Sequence, residues 1–361
     1  MYSFRKEFPV LSHSLYANTA STGLLSEGLQ HWRQEHDLDF LLGGSVAKME
    51  QLKLLSDTRN NLATLLECSR DRVALVQNFT LGLNILLGGL SPKCKILLLE
   101  SDYPSVNWPF EKRDFSITTV PISWDLEEKI YEKVSSDNID VLALSLVQWL
   151  NGFKIDMDFL KNLKRDFPNL MIIADGTQFC GTAKFNFDAS GIDVLGSSGY
   201  KWMLSGFGNG FMLLSKRMTE EIKLQTVGYF SAGINIEAKD SFRFAKHFEP
   251  GHLSTLNFGS LNYNLETFFL TNFEQIIAQI DLLSEQAKRE FQNLGLLEET
   301  ITKREAHSTI FSIKGDQSTY DLLTDSDIIC SQRGEGIRLS FHFYNTIDDI
   351  SRIAEVLKSS S

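Results

Sequence analysis

Short apolar runs recur along this chain, and several of the stretches between them have helical periodicity. The runs are RVALVQ at 72–77, KILLLE at 95–100, VLALSLV at 141–147, LMIIAD at 170–175, DVLGSS at 193–198 and GFMLLS at 210–215. Helical patterns lie between several of them: LGLNILLGGL, DLEEKIYEKVSS and DMDFLKNLKRDF. Strands this apolar are covered on both faces, and parallel neighbours need crossover helices to join them. The alternation predicts a doubly wound α/β domain over residues 18–245. From 246 the texture changes. A long helical stretch (261–295) leads into STIFSIKG, SDIICS and GIRLSFHF, and then into a closing helix. In TIDD, Thr346 and Asp349 have capping-box spacing at the start of that helix. Residues 1–17 and 246–361 are expected to form a smaller α+β domain.

Composition removes several function classes. The formal net charge is −11, which gives no long-range pull toward nucleic acid or an anionic membrane. No apolar run approaches the roughly 20 residues that a membrane-spanning helix needs. The N-terminal stretch has no apolar core of signal-peptide length. Cys68, Cys94, Cys180 and Cys330 are scattered without CxxC spacing, so the expectation is a reduced, cytoplasmic protein. GFGNG at 206–210 precedes a strand, not a helix, and so lacks the dinucleotide-binding context. There is no HExxH, no Cys/His quartet for zinc, and GSSG at 196–199 is not a nucleophile elbow.

In open α/β sheets, ligands bind beyond the carboxyl ends of the strands. After RVALVQ comes Asn78-Phe79-Thr80-Leu81-Gly82 at a helix start. That suits a phosphate, which free N–H groups and the helix dipole attract, but a plain helix cap explains it equally well. After LMIIA comes Asp175, a carboxylate ending a buried strand, which calls for a cation or a capping role. After DVLGSS comes SGYKWMLSGFGNG, with Lys201 set among small and apolar residues. An amine enclosed in this way loses hydration, its pKa falls, and it becomes a better nucleophile toward carbonyl carbon. The alternative for Lys201 is a surface loop lysine; three strand-end signals on one edge favour the functional reading.

Taken together, YANTAST, QNFTLGLN, LVQWLNGFKIDMDFL, IIADGTQ, GSSGYKWMLSGFGNGFM and GIRLSFHFYNTIDDI resemble the class V aminotransferase family. That family has the fold type I architecture of transferases dependent on pyridoxal 5'-phosphate (PLP), a large, mostly parallel α/β domain plus a smaller α+β domain. The resemblance implies that Lys201 binds the cofactor as a Schiff base and then shuttles a proton at the substrate α-carbon, with Asp175 pairing with the pyridine nitrogen. It implies phosphate contacts from Thr80, Ser198 and Tyr200, the last replacing a histidine common in the family, with Leu81 beside them. Tyr103 would stack on the ring, and Gln148 and Gln178 would lie by its 3-oxygen. Arg338 would grip the substrate carboxylate, with Asn18 also on the substrate side. Ser254 or Thr255 would reach the phosphate of a neighbouring subunit, implying a homodimer with shared active sites. The implied chemistry is aminotransferase-like or lyase action on an amino acid. The alternatives are a cysteine desulfurase or selenocysteine lyase, for which Cys330 would have to be an exposed nucleophile, and a non-catalytic PLP-binding regulator. The strand-like context of Cys330 favours a buried thiol instead, and His342 in SFHF reads as a structural histidine.

Overall fold

The computed structural model describes residues 2–232 and 242–359. In chain order its strands are β1 (Leu15–Tyr16), β2 (Val73–Val76), β3 (Lys95–Leu99), β4 (Ser116–Val120), β5 (Val141–Ser145), β6 (Met171–Asp175), β7 (Val194–Ser198), β8 (Gly210–Leu214), β9 (Ile310–Lys314), β10 (Ile328–Ile329), β11 (Ser331–Arg333) and β12 (Gly336–Ser340). The central sheet has the order β2-β8-β7-β6-β5-β3-β4. From β7 through β6, β5 and β3 to β4 every pairing is parallel, as the helix-separated apolar runs predict. β8 is the exception and runs antiparallel to both β7 and β2. Only residues 199–209 separate β7 from β8, whereas a parallel crossover takes about a dozen residues or more, usually including a helix. The short connection therefore reverses the chain at the carboxyl end of β7, and Lys201 sits in that reversal.

The central strands β5 to β8 are buried at every position. β4, SITTV, has no counterpart in the sequence reading. It is the outer strand next to β3, half exposed, and an edge strand can be polar enough to read as loop. The helices Glu27–Gly43 and Ser45–Leu65 also have no clean apolar signal. Their buried positions include His36, Gln51 and Thr58 beside Leu29, Leu55 and Leu62. The long helical stretch is broken in three: Thr255–Asn264, a π-helical turn Leu265–Phe269, and Leu270–Asn293. Just before the π turn, Asn264 Nδ2 donates to Met203 O at 3.0 Å, which ties this helix to the loop carrying Lys201.

The second sheet has the order β11-β12-β9, antiparallel throughout. SDIICS divides into β10 and β11 on either side of Cys330. β10 pairs with β1 in parallel, and Asn18 bridges to Ser340. The closing helix, Ile347–Lys358, has the full capping box: Asp349 N donates to Thr346 Oγ1 (3.2 Å) and Thr346 N donates to Asp349 Oδ2 (3.1 Å).

The N-terminal segment presses on the lysine loop at one glycine. Gly23 N donates to Tyr200 O at 2.8 Å, and a Cβ at Gly23 would lie 2.0 Å from Lys201 O. Backbone cannot move aside as a flexible side-chain end can. Gly23→Ala should therefore destabilise the fold by about 1–3 kcal/mol, the usual cost of overpacking. Scanning calorimetry checks this; an unchanged Tm would show that the segment yields freely.

Candidate active site

The strand ends bring their polar residues to one edge of the sheet. Asp175 closes β6, Ser198 closes β7, Asp102 and Tyr103 follow β3, Gln148 follows β5, and Asn78 follows β2. A cavity of about 270 Å³ opens there, lined by Asn78, Phe79, Thr80, Tyr103, Asp175, Thr177, Ser198 and Tyr200 among others. A larger cavity, about 710 Å³, lies at the opposite edge. Its cations are already matched, Arg72 with Asp188 and Lys164 with Asp193, so its volume does not make it the reactive site.

Lys201 is 5% exposed. Its Nζ lies 5.4 Å from the ring centre of Tyr103 and 5.5 Å from that of Tyr200. Burial lowers its pKa below the ordinary lysine value; Asp175 opposes the shift, and Arg338 and Arg333 add to it. The loop that holds it is tightly stapled. Gly199 N donates to Asn209 O (3.0 Å), Asn209 Nδ2 donates to Ser205 O (3.2 Å), and Ser205 Oγ is 2.7 Å from both Gly199 O and Asn209 Oδ1. Leu204 sits in this loop at φ 57°, a left-handed conformation that costs a branched L-residue roughly 1–2 kcal/mol. Such strain persists only where surrounding contacts over-determine the backbone.

Asp175 is equally buried at 5% exposure. Its Oδ1 accepts from Thr177 N at 2.8 Å. Burial raises its pKa, the Thr177 hydrogen bonds and Lys201 lower it, and Asp102 raises it. Asp102 was not singled out in the sequence, although it follows β3 as Asp175 ends β6. It is fully enclosed and accepts from Tyr103 N (2.6 Å) and Ser145 N (2.8 Å), so it pins the backbone of the residue whose ring faces Lys201. Thr177, also not singled out, accepts from Ser198 N on its Oγ1 at 3.1 Å.

Arg338, on β12, is 2% exposed. Its Nη1 donates to Trp149 O at 2.7 Å, its Nε has no partner, and among the described residues no carboxylate lies within 4.0 Å. Burial, with Arg333 adding, lowers the guanidinium to about 10. Trp149 Nε1, Gln148 Nε2, Ser331 Oγ and Asn18 Oδ1 are also buried without partners. A buried cation with no acidic partner is costly unless an anion joins it.

Residues 41–353 match the class V aminotransferase family. The chain belongs to that family. Its similarity to the Bacillus subtilis protein named "uncharacterized aminotransferase YcbU" is 21% identity, covering 96% of this chain and 94% of that one. A probable cysteine desulfurase of Ureaplasma parvum is 20% identical over 85% of this chain and 82% of its own. Among solved structures, a C-DES mutant with glycine covalently linked to its PLP cofactor superposes with a TM-score of 0.87, at 18% identity over 98% of each chain. The fold is that of the type I PLP enzymes, and membership in the family makes this a PLP-dependent enzyme of amino-acid chemistry, a transferase or a lyase.

The class V site residues present here fit PLP chemically: a buried amine, a buried carboxylate held by one backbone N–H, and hydroxyls at the cavity wall. Phe79 N donates to Ser198 Oγ (3.0 Å) and Leu81 N to Asn78 Oδ1 (2.9 Å), whereas the Thr80 hydroxyl makes no bond within the described chain. Lys201, Gln148, Arg338 and Asn18 do not line this cavity, and three further expected residues are engaged elsewhere. Leu81 is 46% exposed and borders a different hollow. Gln178 is committed at both ends of its amide, Nε2 donating to Ala20 O (3.0 Å) and Oε1 accepting from Trp202 Nε1 (2.7 Å). Thr255 Oγ1 is buried against His36 Nε2 (3.0 Å) and Gln51 Oε1 (3.2 Å). Its neighbour Ser254 is exposed and caps the following helix through Asn257 N. Cys330 is buried, with its thiol pushed up to about 11. His342 is fully buried and held near 3 by burial; its Nε2 donates to Trp202 O (2.8 Å) while Nδ1 has no partner.

The electrostatics of Lys201 can be measured in cofactor-free protein. Reductive methylation, read at Lys201 by mass spectrometry across pH, should titrate below the surface lysines. Removing a nearby cation favours the ammonium, so Arg338→Gln should raise this pKa. Removing the anion disfavours it, so Asp175→Asn should lower it. A profile matching the surface lysines, or both variants moving together, would contradict this assignment.

Proposed function

We propose that Lys201 carries PLP covalently on its amine and that the enzyme acts at the α-carbon of an amino acid, by aminotransferase-like or lyase chemistry. The observation that carries this is the interaction of the buried Lys201 amine with the buried carboxylate of Asp175, which ends β6 and borders a cavity edged by hydroxyls. When bound, the cofactor supplies an electron sink for charge developing at the substrate α-carbon.

The chain's own residues then have defined tasks. Asp175 holds a fixed negative charge for a protonated ring nitrogen, and such a cation would offset the burial of its carboxylate. Tyr103 packs against the ring, its backbone fixed by Asp102. Thr80, Thr177, Ser198 and Tyr200 hold the phosphate and the rim around it. Ser198 Oγ already accepts from Phe79 N, which leaves its O–H free to donate outward. Lys201 takes the proton from the substrate α-carbon and returns it, a task that needs the neutral amine favoured by burial. Arg338 receives the α-carboxylate and Trp149 O orients one arm of its guanidinium; Asn18 serves the substrate side and Gln148 the ring's 3-oxygen. Gln178, joined to Ala20 and Trp202, positions the lysine loop.

We further propose a homodimer with shared active sites. Leu41 and Leu42 are 80% and 79% exposed near the tip of the first helical hairpin, and Ser254, not Thr255, is the surface hydroxyl available to a partner. We divide the chain into 18–245 and 1–17 with 246–361, supported by the pairing of β1 with β10. No described helix is long and apolar enough to cross a membrane, and the four cysteines are unpaired, which supports a reducing, cytoplasmic location. Desulfuration ranks second. Two relatives are named probable cysteine desulfurases, but a persulfide carrier needs an accessible thiolate, and burial holds Cys330 as a thiol.

Asp175→Asn should still take up PLP but lose its fixed charge beside the ring. Exchange of the substrate α-proton for deuterium, followed by NMR, should slow by about 10²–10³-fold, the scale on which one preorganised electrostatic partner acts. Exchange at the wild-type rate would leave Asp175 a structural residue only.

A further inference from the structure

The small sheet presents two unlike faces. Directly opposed residues on paired strands point to the same side, as do residues two apart. The register puts Ile337 and Leu339 with Phe311 and Ile313 on one side, all buried. The other side carries Ser331, Arg333, Arg338, Ser340, Ser312 and Lys314. Arg338 on this side is the buried guanidinium that donates to Trp149 O.

Arg333 is opposite Gly336, and Arg338 is opposite Ser331, so the two arginines are diagonal neighbours on one face. Position 336, opposite Arg333 and two residues from Arg338, has no side chain. A Cβ there would lie 2.7 Å from Ser312 Oγ and 2.8 Å from Ile313 O, so the gap is a packing requirement of the hairpin. The hairpin tip leans toward the loop that supplies Trp149: a Cβ at Gly334 would lie 3.9 Å from Leu150 Cδ2. Arg333 is exposed, and among the described residues its guanidinium makes one hydrogen bond, to its neighbour Gln332 O at 3.2 Å. Neither Arg333 nor Lys314 has an acidic partner within 4.0 Å among the described residues. The charge of Arg333 also reaches inward, lowering the pKa of both Lys201 and Arg338.

We propose, resting on the reading of Arg338 as the α-carboxylate anchor, that the substrate is an amino acid whose side chain ends in a second anionic group and that Arg333 binds that group. Diagonal positions on paired strands lie about 7–8 Å apart. Two long guanidinium side chains can converge across that span on a short dicarboxylate such as the skeleton of aspartate or glutamate. Arg338 is buried and fixes one end of the substrate; Arg333 is exposed and selects the other end.

Calorimetry on the PLP-loaded enzyme tests this with unreactive ligands. Succinate or glutarate should bind roughly tenfold more tightly than butyrate, the scale of one charge-assisted contact. In Arg333→Gln that preference should collapse toward unity, and Arg333→Lys should restore part of it. For reacting amino acids, the same variant should raise KM for aspartate or glutamate more than kcat changes. Equal binding of dicarboxylate and monocarboxylate to the wild type, or a preference that survives Arg333→Gln, overturns the proposal. Butyrate binding to Arg338→Gln with wild-type affinity would instead remove the parent reading of Arg338. The two failures are therefore distinguishable.

Discussion

A buried lysine amine and a buried aspartate carboxylate lie close enough to perturb each other, and most of the surrounding structure follows from holding them there. Taking either charge out of water alone is costly. Side by side they stabilise each other, but each also meets a second like charge: Asp102 near Asp175, and Arg338 near Lys201. Burial pushes the amine toward its neutral, nucleophilic form and the carboxylic acid toward its neutral form. A site balanced in this way suits a ligand that brings a cationic ring nitrogen to the carboxylate and anionic groups to the arginine and the hydroxyls.

The scaffold maintains that balance with rigid elements. β6 and β7 fix Asp175 and Ser198 on adjacent strands. The short return to β8 is pinned by Ser205, Asn209 and the left-handed Leu204. Gly23 closes on the loop from one side and Asn264 holds it from the other. Within it, Trp202 Nε1 donates to Gln178 and its carbonyl accepts from His342. The lysine loop is thus anchored to the N-terminal segment, the central sheet and the C-terminal helices together.

Much of this was legible in the sequence. The six apolar runs are all strands, and the polar residues that follow five of them meet at one edge, because a strand's carboxyl end is fixed once its direction is known; β8 runs the other way and delivers Ser215 to the opposite edge. The parts that escaped share a physical reason. SITTV is polar because only one side of it needs a partner. The first two long helices bury His36, Gln51 and Thr58, which blurs the apolar stripe. Gln178 and Thr255 look like ligands in a linear motif, yet tertiary neighbours already occupy their polar atoms. Asp102 carried the same strand-end signal as Asp175 and was overlooked beside the aromatic Tyr103. The unmatched charge of Arg333 becomes visible only when the hairpin register places it diagonal to Arg338.

The central claim is that Lys201, among the 35 basic residues of this chain, is the one whose amine holds the cofactor. Borohydride reduction of the PLP-loaded protein, followed by proteolysis and mass spectrometry, tests that most directly. The account predicts a pyridoxyl label on the peptide containing Lys201 and no label in Lys201→Ala. A label on any other lysine, or a wild-type protein that takes up no label, would contradict it.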